Sequence, residues 1–190
     1  MAVGLGNPGA EYAGSRHNAG AEAIGLLARR HGERLKRGRE LALVAELRVA
    51  GPAGPQRLAV AFPQTFMNES GRSVVRLVRR FGITDMARLV VVHDELDLPT
   101  GRMAVKAGGG LAGHNGLRSI RAHLRTEAFT RVRIGIGKPP GGREGGIDHV
   151  LSAPSRRERT DLDAAIERAA DAVEAILADG VAGAQNRFNG

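Results

Sequence analysis

Residues 89–92 read Leu-Val-Val-Val, an unbroken apolar run between Arg88 and His93. A strand with one wet face alternates polar and apolar residues, whereas a strand without alternation must be covered on both faces. Such a strand commits the chain to layers, with helices above and below a sheet. The rest of the sequence supplies them. Residues 1–5 read as a short strand, and 16–31 as a helix with Ala19, Ala23, Ile24 and Leu27 at helical spacing. Residues 41–49 and 57–62 read as strands flanking the turn-rich AGPAGPQ, which predicts a hairpin and some antiparallel pairing. Residues 68–81 read as a helix closed by Gly82, with Val74, Val78 and Phe81 on one face and Arg72, Arg76 and Arg79 on another.

Residues 88–93 are the buried strand, and 102–106 are a further one. Residues 115–124 form a helix with Leu117, Ile120 and Leu124 inward and Arg118, Arg121 and Arg125 outward. The stretch RVRIGIG at 131–137 alternates and predicts a half-buried strand. A capping box, Ser155 to Glu158, opens a last long helix that Gly180 ends. The expected class is α/β, one globular domain over residues 1–190 with a mixed twisted β-sheet flanked by helices. The glycine-rich GKPPGGREGG is the segment expected to be most flexible.

Composition narrows the function. A chain of 190 residues with 42% hydrophobic content suits one core and is not disordered throughout. No run is long enough to span a membrane, and the start lacks the charged and apolar regions of a signal peptide. There is no cysteine, which removes disulfides and thiolate metal sites and fits a cytoplasmic protein. The formal net charge is +8. Between residues 101 and 139 eight basic side chains, Lys106 and Arg133 among them, face one acid, Glu127. That region predicts a polyanionic partner, with solubility as the other reading. With 3% aromatics and no tryptophan, contact with phosphates is expected rather than stacking on bases.

Residues 4–9, GLGNPG, fit the glycine pattern of a dinucleotide loop. Three features count against it. The strand before it is short, no acid closes the second candidate strand at 48–51, and Pro8 removes an N–H a pyrophosphate would need. What remains is a rigid turn that presents Asn7, with glycines that bring backbone close to a substrate. Other polar residues gather at expected strand ends and helix starts: His17, Asn18, Asn68, the run 93–97 (HDELD), and His114 with Asn115. Strand ends of one polarity form the crevice of an open α/β sheet. There His17 with Asp94 makes a general-base pair, the carboxylate fixing the tautomer and the other ring nitrogen taking a proton from water. His93 competes for the histidine role, but adjacent strand residues point to opposite faces, so His93 and Asp94 are not expected in one cleft. Asn68 and Asn115 also sit where an N-cap would. A metal site from His17, His93, Asp94 and His114 is conceivable, though no H-x-x-x-H spacing supports it.

The stretches GLGNPGAEYAGSRHNAG, PQTFMNESG, HDELDLPTG, GGGLAGHNGLRSI and RVRIGIGKP, in this order, resemble the motifs of bacterial peptidyl-tRNA hydrolases. The resemblance runs from residue 3 to 151, with a compatible last helix. It implies a monomeric, cytoplasmic esterase that cleaves the bond between a peptide and the 3′ ribose of tRNA, with no metal and no cofactor. It implies His17 as the catalytic histidine and Asp94 as its partner. It implies that Asn7, Asn68 and Asn115 position the substrate, that Tyr12 meets the tRNA end, and that Met67 lines the peptide-side groove. Lys106 and Arg133 match basic residues that hold a tRNA phosphate. Four positions depart from the family pattern. Leu111 and Ala112 interrupt the usual GGGHGGHNG, Phe62 stands where a basic residue is common, and Ala104 replaces a residue that is often basic.

Overall fold

The computed structural model describes residues 1–52, 54–139 and 146–190. Seven strands form one sheet: β1 (Ala2–Gly4), β2 (Lys36–Arg37), β3 (Ala42–Val49), β4 (Gln56–Pro63), β5 (Val90–Glu95), β6 (Met103–Ala107) and β7 (Thr130–Gly135). Their order is β2-β3-β4-β1-β5-β7-β6. β4, β1, β5 and β7 run parallel, while β2, β3 and β6 join by antiparallel pairing, so the sheet is mixed. The helices are α1 (Ala19–Arg30), α2 (Ser70–Arg80), α3 (Asn115–Leu124), α4 (Gly146–Leu151) and α5 (Arg156–Phe188).

The Leu-Val-Val-Val run behaves as its lack of alternation demands, with all six residues of β5 buried. Val90 and Val92 pack with α1 and α5 on one side of the sheet. Val91 packs with α2 and α3 on the other. Each such valine stabilises the fold by about 1.5–3 kcal/mol relative to exposure. β1 is short but lies between β4 and β5. The first turn of α1 rests directly on it. A Cβ on Gly4 would meet Gly20 O at 2.2 Å, and one on Gly20 would meet Val92 O at 2.2 Å. These two glycines let helix and strand backbones touch, which fixes the residues just before α1 at the end of β5. Gly4 and Gly6 of the opening turn therefore serve the approach of α1, a Cβ on Gly6 meeting Asn18 at 3.0 Å, while Gly9 takes φ 112°.

Four elements differ from expectation, the first being α4, since the sequence predicts no helix at 146–151. Arg131 in β7 is 1% exposed, so this strand is not half-buried. Period-two alternation reports which face is polar, and here the polar face is covered by the loop before α3. The last helix breaks at Gly180 (φ 72°, ψ 176°) and then resumes to Phe188. Ala184 and Phe188 are buried in the core beyond the break, which holds the second piece in place. Asn189 then pairs with the β6 edge, Oδ1 accepting from Val105 N at 2.7 Å and Nδ2 donating to Val105 O at 2.9 Å. The two-residue β2 carries no periodic signal. The capping box forms as expected, with Glu158 N donating to Ser155 Oγ and Ser155 N to Glu158 Oε2. Residues 140–145 of the glycine-rich loop lie outside the described residues.

Candidate active site

The site forms where β5 ends. Asp94 is 2% exposed, and one of its oxygens receives two imidazoles. His17 Nδ1 lies 2.8 Å from Oδ1, and His114 Nε2 lies 3.0 Å from the same atom. The fold brings His17 here through the Gly4–Gly20 contact, since His17 stands two residues before α1. His114 arrives from the other layer as the N-cap of α3, where its Nδ1 accepts from Gly116 N at 3.1 Å and Leu117 N at 3.4 Å.

These bonds fix tautomers. A nitrogen that accepts backbone N–H bonds carries no proton, so His114 holds its proton on Nε2 and donates it to Asp94. Burial works against the Asp94 charge, but His17 and His114 hold its carboxyl well below the usual range. Facing that carboxylate, His17 carries a proton on Nδ1 and leaves Nε2 bare. Burial lowers the His17 pKa and the charge and hydrogen bond of Asp94 raise it; the net shift is upward. His93 points to the other face, as strand alternation requires, and is fully buried. Its Nδ1 donates to Asp94 O at 2.7 Å, and its ring meets that of His114 edge-on at 4.9 Å. Burial first, then His114, pushes its pKa down to about 3, so it stays neutral.

A cleft of about 190 Å³ joins His17, Asp94 and Asn115, with Ile147 and Val150 of α4 on its wall. A larger hollow of about 680 Å³ between α1 and α5 holds neither His17 nor Asp94. Asn7, Tyr12, Met67 and Asn68 occupy two other turns, and none of them lines the His17 cleft. Asn7 is buried, and Asn18 brackets its backbone, accepting from Asn7 N at 2.8 Å and donating to Asn7 O at 3.0 Å. Met67 N donates to Asn7 Oδ1 at 2.8 Å, which ties the two turns together. Met67 itself is 4% exposed and packs in the core beneath. Tyr12 stands edge-on to the exposed Phe66, rings 6.4 Å apart. Neither Asn68 nor Asn115 caps a helix: both are exposed, and the Asn115 oxygen accepts from Arg118.

Lys106, Arg131 and Arg133 share one face of β6 and β7, opposite the residues that meet α5. Lys106 is exposed, with no ion pair among the described residues. Arg133 Nε donates to Glu95 Oε2 at 3.0 Å, and that carboxylate is 4% exposed. Arg131 donates to the carbonyls of Gly108, Gly109 and Gly110, the last two at 2.7 Å, and so holds the loop leading to His114. In that loop Leu111 is buried in the core, and Ala112 takes φ 50°. The sequence places His114 among the crevice residues and as a conceivable metal ligand but gives it no role beside Asp94, and it does not single out Arg131 as a loop anchor. HNG before a helix was the available signal for the first; nothing local marks the second.

The facing nitrogens of His17 and His114 and an Asp94 oxygen lie within 4.8 Å of one another. Two imidazoles and a carboxylate are a donor set for a divalent transition ion. An ion there would replace both N–H bonds to Oδ1.

A mixed sheet whose central strand ends in a buried carboxylate between two imidazoles, at the edge of a cleft, is the plan of a hydrolytic α/β enzyme. The model of the peptidyl-tRNA hydrolase family matches residues 1–190. A peptidyl-tRNA hydrolase of Frankia alni is 50% identical over 189 residues, covering 100% of this chain and 93% of that protein. One of Cutibacterium acnes is 48% identical over 196 residues, covering 100% and 97%. Among solved structures, the Arg119Gln mutant of the Acinetobacter baumannii peptidyl-tRNA hydrolase superposes with a TM-score of 0.89 at 39% identity, covering 99% of this chain and 93% of that one. The chain belongs to the peptidyl-tRNA hydrolase family.

Proposed function

We propose that this chain hydrolyses the ester between the peptide and the 3′ ribose of peptidyl-tRNA and frees the tRNA for reuse in translation. The observation that carries the mechanism is the 2.8 Å bond from His17 Nδ1 to Asp94, which leaves Nε2 bare beside the cleft. Nε2 takes a proton from water, the water oxygen attacks the ester carbonyl, and the imidazolium returns the proton to the departing 3′ oxygen. Asp94 stabilises the imidazolium, and His114 supports Asp94 as a neutral donor. Family membership and the absence of a cysteine favour water as nucleophile.

The amide bonds argue for what the asparagines do. Asn7 and Asn115 each spend their oxygen on a protein donor, Met67 N–H and Arg118. Each therefore presents its NH₂ group, suited to a substrate carbonyl or a developing oxyanion. Asn68, exposed on the same turn as Met67, holds the peptide backbone or the water, and Met67 forms the floor of the peptide-side groove. Tyr12 meets the 3′ end of the tRNA. Lys106 and Arg133 bind a tRNA phosphate, the second oriented by Glu95. The reading includes action as a monomer in the cytoplasm without a metal or cofactor. No helix among the described residues is long and apolar enough to cross a membrane.

The test is release from N-blocked aminoacyl-tRNA and from free aminoacyl-tRNA. The blocked substrate is cleaved and the free one hardly at all. His17→Ala lowers kcat by about 10²- to 10⁴-fold. A variant as fast as the parent chain, or no cleavage of the blocked substrate, overturns the reading.

A further inference from the structure

We propose that Arg16 is a positioning residue for this reaction: it clamps the junction between α4 and α5 to the turn that carries His17, and so holds α4 as a wall of the cleft. This rests on the hydrolase reading above.

α4 has six residues and none is buried, and Ile147 is 73% exposed. Only Val150, half-buried, packs against the core, so apolar packing contributes little to the place of α4, yet Ile147 and Val150 line the cleft that holds His17 and Asp94. Polar anchors fix it instead. At one, His149 Nε2 lies 3.2 Å from Ile136 O and 3.1 Å from Gly137 O, just past β7. The other is Arg16. Its backbone N donates to Ser152 O at 3.1 Å. Its guanidinium reaches Ser152 Oγ at 2.6 Å, Ala153 O at 3.1 Å and Glu158 Oε2 at 3.0 Å. Arg16 is 6% exposed although it carries a charge. Burying a guanidinium is costly unless its partners are well placed. Here they are the Ser152 hydroxyl and the Ala153 carbonyl just past α4 and the capping-box acid of α5, while Nε has no partner among the described residues. Arg16 thus satisfies the end of one helix and the start of the next, one residue from the proposed base.

Two readouts test the clamp. The first is amide hydrogen exchange of residues 147–153 in the full chain. Arg16→Gln speeds it tenfold or more, at about the value of one lost charged hydrogen bond, while 115–124 exchange as before. Arg16→Lys, which keeps the charge but loses the fork, is intermediate. Ser152→Ala, which removes the 2.6 Å partner together with the Ser152 Oγ bond to His149 O at 2.8 Å, provides the same measurement if the Arg16 variants do not fold. Unchanged exchange at 147–153 overturns the clamp. The second readout is hydrolysis of N-blocked aminoacyl-tRNA. Arg16→Gln lowers kcat/KM roughly tenfold with the acid limb of the pH profile unmoved, and Ile147→Ala on its own lowers it about threefold. In the Arg16→Gln background Ile147→Ala adds nothing, because the released wall no longer meets the substrate. An arginine that only stabilises the fold gives additive losses instead, and that result overturns the proposal. If the parent chain cleaves nothing, the hydrolase reading falls, and the exchange measurement still decides the clamp.

Discussion

Replacing Asp94 by Asn keeps the shape of the site and removes its charge. The size of the effect follows from geometry. At 2.8 Å and an effective dielectric of about 20, a full imidazolium charge on His17 gains roughly 6 kcal/mol from the carboxylate. With the proton about half transferred in the transition state the gain is ~3 kcal/mol, or roughly 150-fold in rate. The introduced amide can also turn its NH₂ toward His17 Nδ1 and hold the wrong tautomer, which adds to the loss. Asp94→Asn should therefore lower the kcat/KM plateau by about 10²- to 10³-fold. The pH profile carries a second signature. His17 is active when neutral, so activity falls as pH drops through its pKa. Asp94 raises that pKa while burial lowers it. Without the carboxylate only burial remains, and the acid limb moves to lower pH in the slower enzyme. The assay is release from N-blocked aminoacyl-tRNA between about pH 5 and pH 9. An unchanged plateau, or an acid limb displaced upward, would refute the pairing.

Three further outcomes are expected. Lys106→Ala raises KM and flattens the log–log salt dependence by roughly one unit with little change in kcat, as for one lost phosphate contact; a large kcat loss at constant salt slope contradicts this. Ala112→Gly stabilises the chain by about 0.5–1 kcal/mol in urea unfolding, since Ala112 is exposed at φ 50° and only glycine takes that backbone freely; destabilisation would show that the alanine makes a contact. His93 remains neutral down to about pH 3 in the fold but titrates near 6.5 when unfolded. Between those values the unfolded chain binds the extra proton, so stability is complete above the unfolded pKa and declines as pH falls, by a few kcal/mol in all. His93→Asn removes that portion of the acid sensitivity, and equal slopes of stability against pH in the two proteins would argue against it.

The layered architecture was legible because the signals behind it are local. An unalternating Leu-Val-Val-Val run demands cover on both faces, apolar spacing marks the helices, and the Ser155–Glu158 box marks where the last one starts. The pairing of His17 with Asp94 was also legible, since strand ends and helix starts meet at one edge of an α/β sheet. Family motifs singled out the asparagines. Folding alone decided which partners those side chains acquire. His114 became a second donor to Asp94 because α3 begins over the end of β5. Asn68 and Asn115 turned out not to cap, because the N-cap of α3 is His114 and α2 starts after a 3-10 turn. Arg131 and Arg16 are charges that nothing local marks for burial, yet both are buried, Arg131 against three glycine carbonyls and Arg16 against the Ser152 hydroxyl, the Ala153 carbonyl and Glu158. A sequence shows where a donor is; which acceptors remain unpaired within its reach is settled only when distant segments pack together. The opening turn shows the same division: its glycines and Asn7 are plain in the sequence, but only the contact of Gly4 with Gly20 shows that the turn brings α1, and with it His17, to Asp94.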